Sequence, residues 1–493
     1  MKFSLLYRIP EEESVCDITY HLSLDRTANT FCRDPKKAEM FLHVLRRPLR
    51  NVENILFRQQ IFQDFITFPS LFDELKIAFN RYDKIQSDWL DLRAGVRPAA
   101  AGAMSDALLD YTFQSLKVTA IFPRTILSFY ESFGEILSRY AITSPCLCEM
   151  RDYCIRMQQN RALQEIVDIS NLFQYYEAED YHFTVLAEFD RLLRICACEL
   201  TDIREKKTDR EKKLFPLGFS RKKDSCQTAD AGTDAMDAGR RLVVLALCHI
   251  DSTLTAVTNA VYETFSGLSQ DMLFYDAAIA YAEHLTECEL PLCFPRMAEA
   301  QQDILQISGL RDPFLLTEGM RGDQIISNDV SMAQSGSMLI RGGNSTGKTT
   351  FLRALGTAQI FAQAGLPICA KDALLSVRRG IFSHFSSAEE DDARTSPAGR
   401  FEGEVRELAS IMDTIRPYSL VLLNETFQTT AYHEGAVGMY DILCALERLH
   451  CKFVFVTHLS EIFHLAEQGD LSFSLWESGE GANAFRILPV SHN

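Results

Sequence analysis

Apolar residues recur at helical spacing through the first 150 positions, as in Phe41, Leu42 and Leu45, then Ile55, Leu56, Ile61, Phe62 and Phe65. The pattern predicts a mostly α N-terminal part with turns between helices. From about Arg151 to Lys207 there is no proline and no glycine, and Ile155, Leu163, Ile166, Ile169 and Leu172, then Leu186, Phe189, Leu192 and Leu193, continue the periodicity. That length predicts one long helix, or two, reaching away from the body. Residues 205–241 interrupt it with a dense basic cluster, the Pro216-Leu217-Gly218 punctuation and an Ala/Asp/Gly/Thr stretch from Thr228 to Gly239, the composition of a connector or tip. A second helical arm from Arg241 to about Glu289 returns the chain. Beyond Ile307 the pattern turns to mixed α/β. Ser337 to Arg341, Ser419 to Asn424 and Lys452 to Thr457 are short apolar runs bounded by polar residues, expected as buried parallel strands. The expected architecture is multidomain: an all-α core over 1–150, lever helices with a tip and a return helix over 151–306, and an α/β domain over 307–493.

Composition narrows the class. The 493 residues are about three or four domains' worth at ~100–200 residues each. Hydrophobic residues at 47 % and charged residues at 24 % describe an ordinary globular chain. No apolar run is expected to reach the ~18–20 residues of a membrane span, since the longest candidate, Leu242 to Ile250, already contains His249 and stops at Asp251. Met1 to Pro10 has no signal-peptide pattern. The 14 cysteines show none of the paired spacings that hold zinc and are expected as reduced, mostly buried thiols. Together these features predict a cytoplasmic protein with no membrane association. The formal charge of −17 argues against a generic nucleic-acid binder, so any DNA contact is expected to be local.

Gly342-Gly343-Asn344-Ser345-Thr346-Gly347-Lys348-Thr349 fits a P-loop, and it stands after an expected strand and before the helical run Phe351 to Ala364, the context the motif requires. Gly342 and Gly347 let the backbone wrap phosphates, where amide groups and the helix start supply positive potential. Lys348 is expected on the β and γ phosphates of ATP and Thr349 on Mg2+. The run Leu420 to Asn424 then ends in Glu425, a candidate general base or water-orienting group. Val454 to Thr457 ends in His458, placed to donate a hydrogen bond to the γ phosphate.

With these motifs in order, the C-terminal third resembles the MutS family of DNA mismatch-repair ATPases. Gly342 to Thr350 resembles that family's nucleotide loop, Asn344 included. Phe401, Glu404, Glu407 and Leu408 resemble the segment after its signature loop. Ser419 to Leu422, Glu425, Thr430, Glu434-Gly435, Thr457-His458 and Glu461 continue the likeness. Ile325 to Asp329 resembles the segment lining the adenine pocket, with Asn328 at its most diagnostic position, and Arg311-Asp312-Pro313 stands where the family usually shows His-Pro. Leu45, Pro48, Asn54, Arg58, Gln59 and Phe62 resemble the opening of the helical core, and Tyr275, Ala278 and Ala282 the return helix. The resemblance implies a core, paired lever helices with a clamp-like tip and an ABC-type ATPase that dimerises and binds DNA. It implies ATP contacts at Gly342, Asn344, Gly347, Lys348, Thr349, Thr350, Ile325 and Asn328, metal contacts at Thr349 and Asn424, and catalytic roles for Glu425 and His458.

Two departures modify that expectation. Asn424 replaces the family's Walker B aspartate and removes a negative charge near the metal; an amide still accepts from a metal-bound water, which predicts slow hydrolysis rather than none. Gly399-Arg400 stands where the family has Ser-Thr, leaving Arg400 or Ser396 as the candidates for acting across a dimer. The chain begins almost at once with the helical core, so a mismatch-reading front domain is not expected. Phe129-Tyr130-Glu131 and Phe133-Gly134-Glu135 match that domain's Phe-x-Glu letters, but Ile126, Leu127, Tyr130, Phe133 and Leu137 follow the spacing of a packed helix. Arg204, Lys206, Lys207, Arg210, Lys212, Lys213, Arg221, Lys222 and Lys223 cluster at the expected tip; neighbouring Asp202, Glu205, Asp209 and Glu211 dilute them, which leaves phosphate binding and simple solvation balanced on charge alone. A nucleotide-gated scaffold with little hydrolysis is the alternative to an active ATPase. A transporter-type ABC subunit is disfavoured by the absence of an LSGGQ-like signature.

Overall fold

The computed structural model describes residues 2–11, 21–96, 105–173, 181–189, 195–205, 233–332, 336–386, 397–427, 432–469 and 471–490. Helices α1 (Leu24–Phe31), α2 (Pro35–Leu45), α3 (Val52–Thr67), α4 (Pro69–Gly95), α5 (Ser105–Ser138), α6 (Pro145–Gln158) and α7 (Arg161–Leu172) come first. A hairpin, β1 (Tyr181–Phe189) and β2 (Ile195–Glu205), precedes α8 (Thr233–Tyr262) and α9 (Leu268–Glu287). The rest is β3 (Arg296–Ala298), β4 (Leu305–Leu310), β5 (Asn328–Met332), β6 (Ser337–Arg341), α10 (Lys348–Gln363), β7 (Asp372–Ser376), β8 (Ile381–Phe385), α11 (Pro397–Thr414), β9 (Leu420–Asn424), α12 (Tyr432–Arg448), β10 (Lys452–Val456), α13 (Ser460–Gln468), β11 (Phe473–Ser478) and β12 (Ile487–Pro489). Local chemistry sets several starts. Asp34 caps α2 by accepting from the Lys36 N–H, with Pro35 at the first helical position, and Asn160 caps α7 by accepting from Leu163.

Two compact units emerge. One comprises Met1–Phe3, Phe68–Thr143 and Leu147–Ser269; the other comprises Ser4–Thr67, Ser144–Cys146 and Gln270–Asn493. In the first, α5 packs along α8: Phe113, Leu116 and Ala120 meet Ala246, Leu247 and Leu254, with Phe173 and Leu200 closing the cluster. Within α8, contrary to the sequence expectation that no apolar run reaches such a length, Gly239–Tyr262 is long and apolar enough to cross a membrane by length and composition alone. Asp251 lies in its middle and accepts from Thr119 Oγ1 (2.6 Å) and Ser115 Oγ (3.0 Å), so this helix carries a satisfied carboxylate toward a packed neighbour. Phe129 and Phe133 are buried on α5 with their rings stacked 5.2 Å apart, so both Phe-x-Glu matches lie on a packed helix.

Two sequence expectations are corrected. Residues 181–205 form an antiparallel hairpin rather than the second half of a helical arm. The reason is visible in the strand: Phe183, Val185 and Ala187 turn inward while Thr184, Leu186 and Glu188 face solvent, a period of two that the lack of proline and glycine concealed. The arm expected from Arg241 to Glu289 is two helices, α8 and α9, separated by a turn in which Gly267 has φ +84°. Residues 4–67 pack with the C-terminal α/β elements. Arg58 is fully buried and donates to the Leu6 carbonyl (2.8 Å) and the Ala364 carbonyl (3.2 Å). Gln363 of α10 donates to Leu49 O (2.8 Å), and the Leu49 N–H donates back to Gln363 O (3.0 Å). The basic cluster from Lys206 to Lys223, Ser396 and Thr430 lie outside the described residues.

In the second unit a six-stranded sheet runs β12-β11-β6-β10-β9-β8, with β11, β6, β10, β9 and β8 parallel and β12 antiparallel at one edge. The three runs expected as buried parallel strands are β6, β9 and β10, and they are neighbours around β10. Val421, Leu423, Phe453 and Phe455 are buried under Leu408 of α11, Met439 and Leu443 of α12 and Ile462 of α13. A smaller sheet, β3-β7-β4-β5, lies in the same unit. Between these elements sits a buried triad in which the Asp303 carboxylate binds both the Arg378 guanidinium and the Lys452 ammonium (2.8 Å). Cys32, Cys146, Cys154, Cys369 and Cys451 are buried, and burial pushes the Cys369 thiol up to about 12.

Candidate functional site

Parallel pairing brings the chemistry-bearing residues to one end of the sheet. Val456 of β10 lies in register with both Ile340 of β6 and Asn424 of β9, so the residues that follow these strands emerge at the same level. Ligand sites in open parallel sheets form at this carboxyl end. After β6 comes the glycine-rich loop, at the end of β9 Asn424 and then Glu425, and after β10 Thr457 and His458.

The loop is built for close approach. Gly342 has φ +151°, and a Cβ placed there would fall 1.9 Å from Ser478 Oγ at the end of β11. Gly347, φ +91°, provides the left-handed turn into α10, whose first residue is Lys348. The helix N-terminus therefore opens into the loop, with amide groups and a favourable dipole for an anion. The Lys348 side chain curls back: its ammonium donates to the Gly342 carbonyl (3.0 Å) and to Gly343 O. Burial pushes its pKa down, opposed by the charge of Glu425. Asn344 and Thr349 are exposed at the loop, and Thr350 is partly buried on the first turn of α10.

Thr349 Oγ1 donates to Asn424 Oδ1 at 3.4 Å, so the two groups expected at a metal stand side by side. Both are oxygen donors suited to a hard divalent cation, and Asn424 is almost wholly buried. Glu425 Oε1 lies 3.1 Å from His458 Nε2, which joins the two expected catalytic groups directly. Glu425 has φ +55°, and its N–H donates to Val456 O (2.9 Å), so the residue turns out of β9 in a left-handed conformation while its backbone stays tied to β10.

Ile325 is buried, and Asn328, partly buried at the start of β5, accepts the Ile487 N–H through Oδ1 at 2.7 Å. Asn328 thus anchors the start of β12, just after the segment that leads into it. That segment was not among the sequence-derived candidates. In it Phe485, φ +65°, packs on Gly347 with about half its ring surface exposed, so an aromatic face lies beside the phosphate-loop turn. No pattern of spacing marks a lone aromatic between two turns; only its neighbour in space does.

Also missed as side-chain contacts were those around the Glu425 turn. His384 of β8 is buried, with Nδ1 2.9 Å from Thr426 Oγ1 and Nε2 3.4 Å from Glu407. Burial lowers its pKa from the ordinary 6.5, with Glu407 opposing and His21 reinforcing the shift. The unfolded imidazole takes up a proton as pH falls below about 6.5 while the buried one resists, so stability is lost from there down toward the folded value. Melting curves at about pH 7.5 and 5.5 should show a larger drop for the wild type than for His384→Gln. Equal drops would remove His384 as the cause.

Residues 338–474 match the family model described as MutS domain V. Among curated relatives, DNA mismatch repair protein MSH2 of Zea mays is 28 % identical over 214 residues, 43 % of this chain and 22 % of that protein. DNA mismatch repair protein MutS of Erythrobacter litoralis is 27 % identical over 250 residues, half of this chain and 28 % of the relative. MutS of Clostridium botulinum is 31 % identical over 149 residues, 29 % of this chain and 16 % of its own. The chain therefore spans little more than a quarter, at most, of the length of these relatives. The matched region contains the glycine-rich loop, Asn424, Glu425 and His458, the groups that the sheet gathers at its carboxyl end, and it is this part of the chain that is similar to MutS domain V.

Proposed function

We propose that the chain binds ATP with Mg2+ at the loop from Gly342 to Thr349, hydrolyses it slowly, and uses nucleotide state to control its hold on DNA as a dimer, in mismatch repair or recombination. The observation that carries this reading is the contact between Glu425 and His458 at the strand ends, level with a P-loop whose lysine is held at its mouth. Loop amides and Lys348 take the β and γ phosphates, and Ile325 with Asn328 lie on the base side. Glu425 accepts a proton from the attacking water while His458 orients the carboxylate and faces the γ phosphate. When bound, Mg2+ supplies neutralisation of the triphosphate charge; Thr349 and Asn424 are the groups that would hold it. DNA contact rests on the relatives' printed role and on the basic residues of 204–223, through phosphates rather than base edges. The dimer, the ABC-type signature contact and a cytoplasmic setting belong to the same reading.

Asn424 favours a second reading, a nucleotide-gated scaffold, because a neutral amide stands where a carboxylate would strengthen metal binding. One set of measurements separates them: affinity for fluorescent ATP with Mg2+, retention of homoduplex, mismatched and branched DNA with and without ATP, and phosphate release. The ATPase reading expects binding, ATP-dependent retention and slow release. Retention without release selects the scaffold, and a chain with no affinity for ATP overturns both.

A further inference from the structure

The turn that carries Glu425 is held from outside its own strand. Glu425 and Phe427 both have left-handed backbones, φ +55° and +66°, although neither is glycine. Such a turn persists only where surrounding contacts over-determine it. The Glu404 carboxylate on α11 supplies two of those contacts. One oxygen accepts from Ser386 Oγ at 2.7 Å, and the other accepts the Phe427 N–H at 2.8 Å. Ser386 in turn donates its own N–H to the Asn424 carbonyl at 3.0 Å. A single side chain therefore grips both sides of the Asn424-Glu425 pair. Two further residues on the same face of α11 add to it: the Phe401 ring packs on Phe427 at 5.3 Å, and Glu407 reaches His384, which holds Thr426.

We infer that Glu404 is a positioning residue for hydrolysis, fixing the Glu425 carboxylate by tying the turn that bears it to helix α11. The inference rests on the ATPase reading above and deepens it. A carboxylate with both oxygens occupied by the protein has no role toward the nucleotide itself, so its loss acts on turnover and spares binding. A displacement of the base by about 1 Å costs on the order of a hundredfold in rate. Because the altered Gly399-Arg400 pair lies in the first turn of α11, any shift of that helix would reach Glu425 through the same three side chains.

The experiment compares wild type, Glu404→Leu, Glu404→Gln and Ser386→Ala, each measured for affinity toward fluorescent ATP with Mg2+ and for single-turnover hydrolysis. Leucine fills the space but accepts nothing, and its hydrolysis should fall by roughly 30-fold or more with affinity within about threefold. Glutamine should recover most of the rate, because its carbonyl oxygen accepts from Phe427 and its amide donates to Ser386 Oγ. Ser386→Ala, which keeps one of the two grips, should lie between. Wild-type turnover in the leucine variant, or a glutamine variant as slow as leucine, overturns the inference. Should the leucine variant not fold, Ser386→Ala at the wild-type rate overturns it equally. Failure of the ATPase reading looks different: the wild type itself then binds no ATP or releases no phosphate.

Discussion

Replacing Glu425 with glutamine is expected to slow ATP turnover by about 10²-fold or more while leaving ATP affinity within about threefold. The substitution is nearly isosteric. Its carbonyl oxygen can still meet His458 Nε2, and the Glu425 N–H to Val456 bond belongs to the backbone and survives. What disappears is the basic lone pair that would receive a proton from water. The group stands at the end of β9 beside the loop, where its charge already acts on Lys348. Phosphate release under single-turnover conditions reads the effect. A glutamine variant that hydrolyses at the wild-type rate would strip Glu425 of its role and leave the scaffold reading in place.

Lys348→Ala should weaken ATP binding by roughly 10²-fold, the loss of about two charge-assisted hydrogen bonds at ~1.5 kcal/mol each. The ammonium satisfies the Gly342 and Gly343 carbonyls, an arrangement that keeps a buried cation solvated by the loop and that phosphate oxygens would replace on the proposed reading. Alanine loses both arrangements, so the binding isotherm is to be paired with a melting curve. A folded alanine variant with unchanged ATP affinity would remove the loop from the nucleotide site.

Much of this site was legible along the chain because its elements are local. A strand with an apolar Met338-Leu339-Ile340 centre, a glycine turn and a helix start occupy consecutive positions from Ser337 to Gln363, and their geometry follows from short-range sterics and hydrogen bonding. The runs ending at Asn424 and Val456 are equally self-contained. The N-terminal helices were legible for the same reason, since period 3.6 is a property of neighbours in sequence. The hairpin at 181–205 was not, because a strand is stabilised by its partner, and its inward Phe183 and Val185 acquire meaning only against the α5 and α8 cluster.

Sequence by itself singled out the candidate residues: the glycines of the loop, Lys348, Thr349, Asn424, Glu425 and His458. Tertiary structure alone decided how they are held. The register of β10 between β6 and β9 sets the three strand ends level. Glu404 ties a turn that is strained by itself, Phe485 arrives beside Gly347 from more than a hundred residues away, and residues 4–67 join the C-terminal unit through Arg58 and Gln363. The physical reason is the range of the forces. Backbone sterics act between neighbours in the chain and leave a pattern in it, whereas side-chain hydrogen bonds and packing join partners at any separation and leave none.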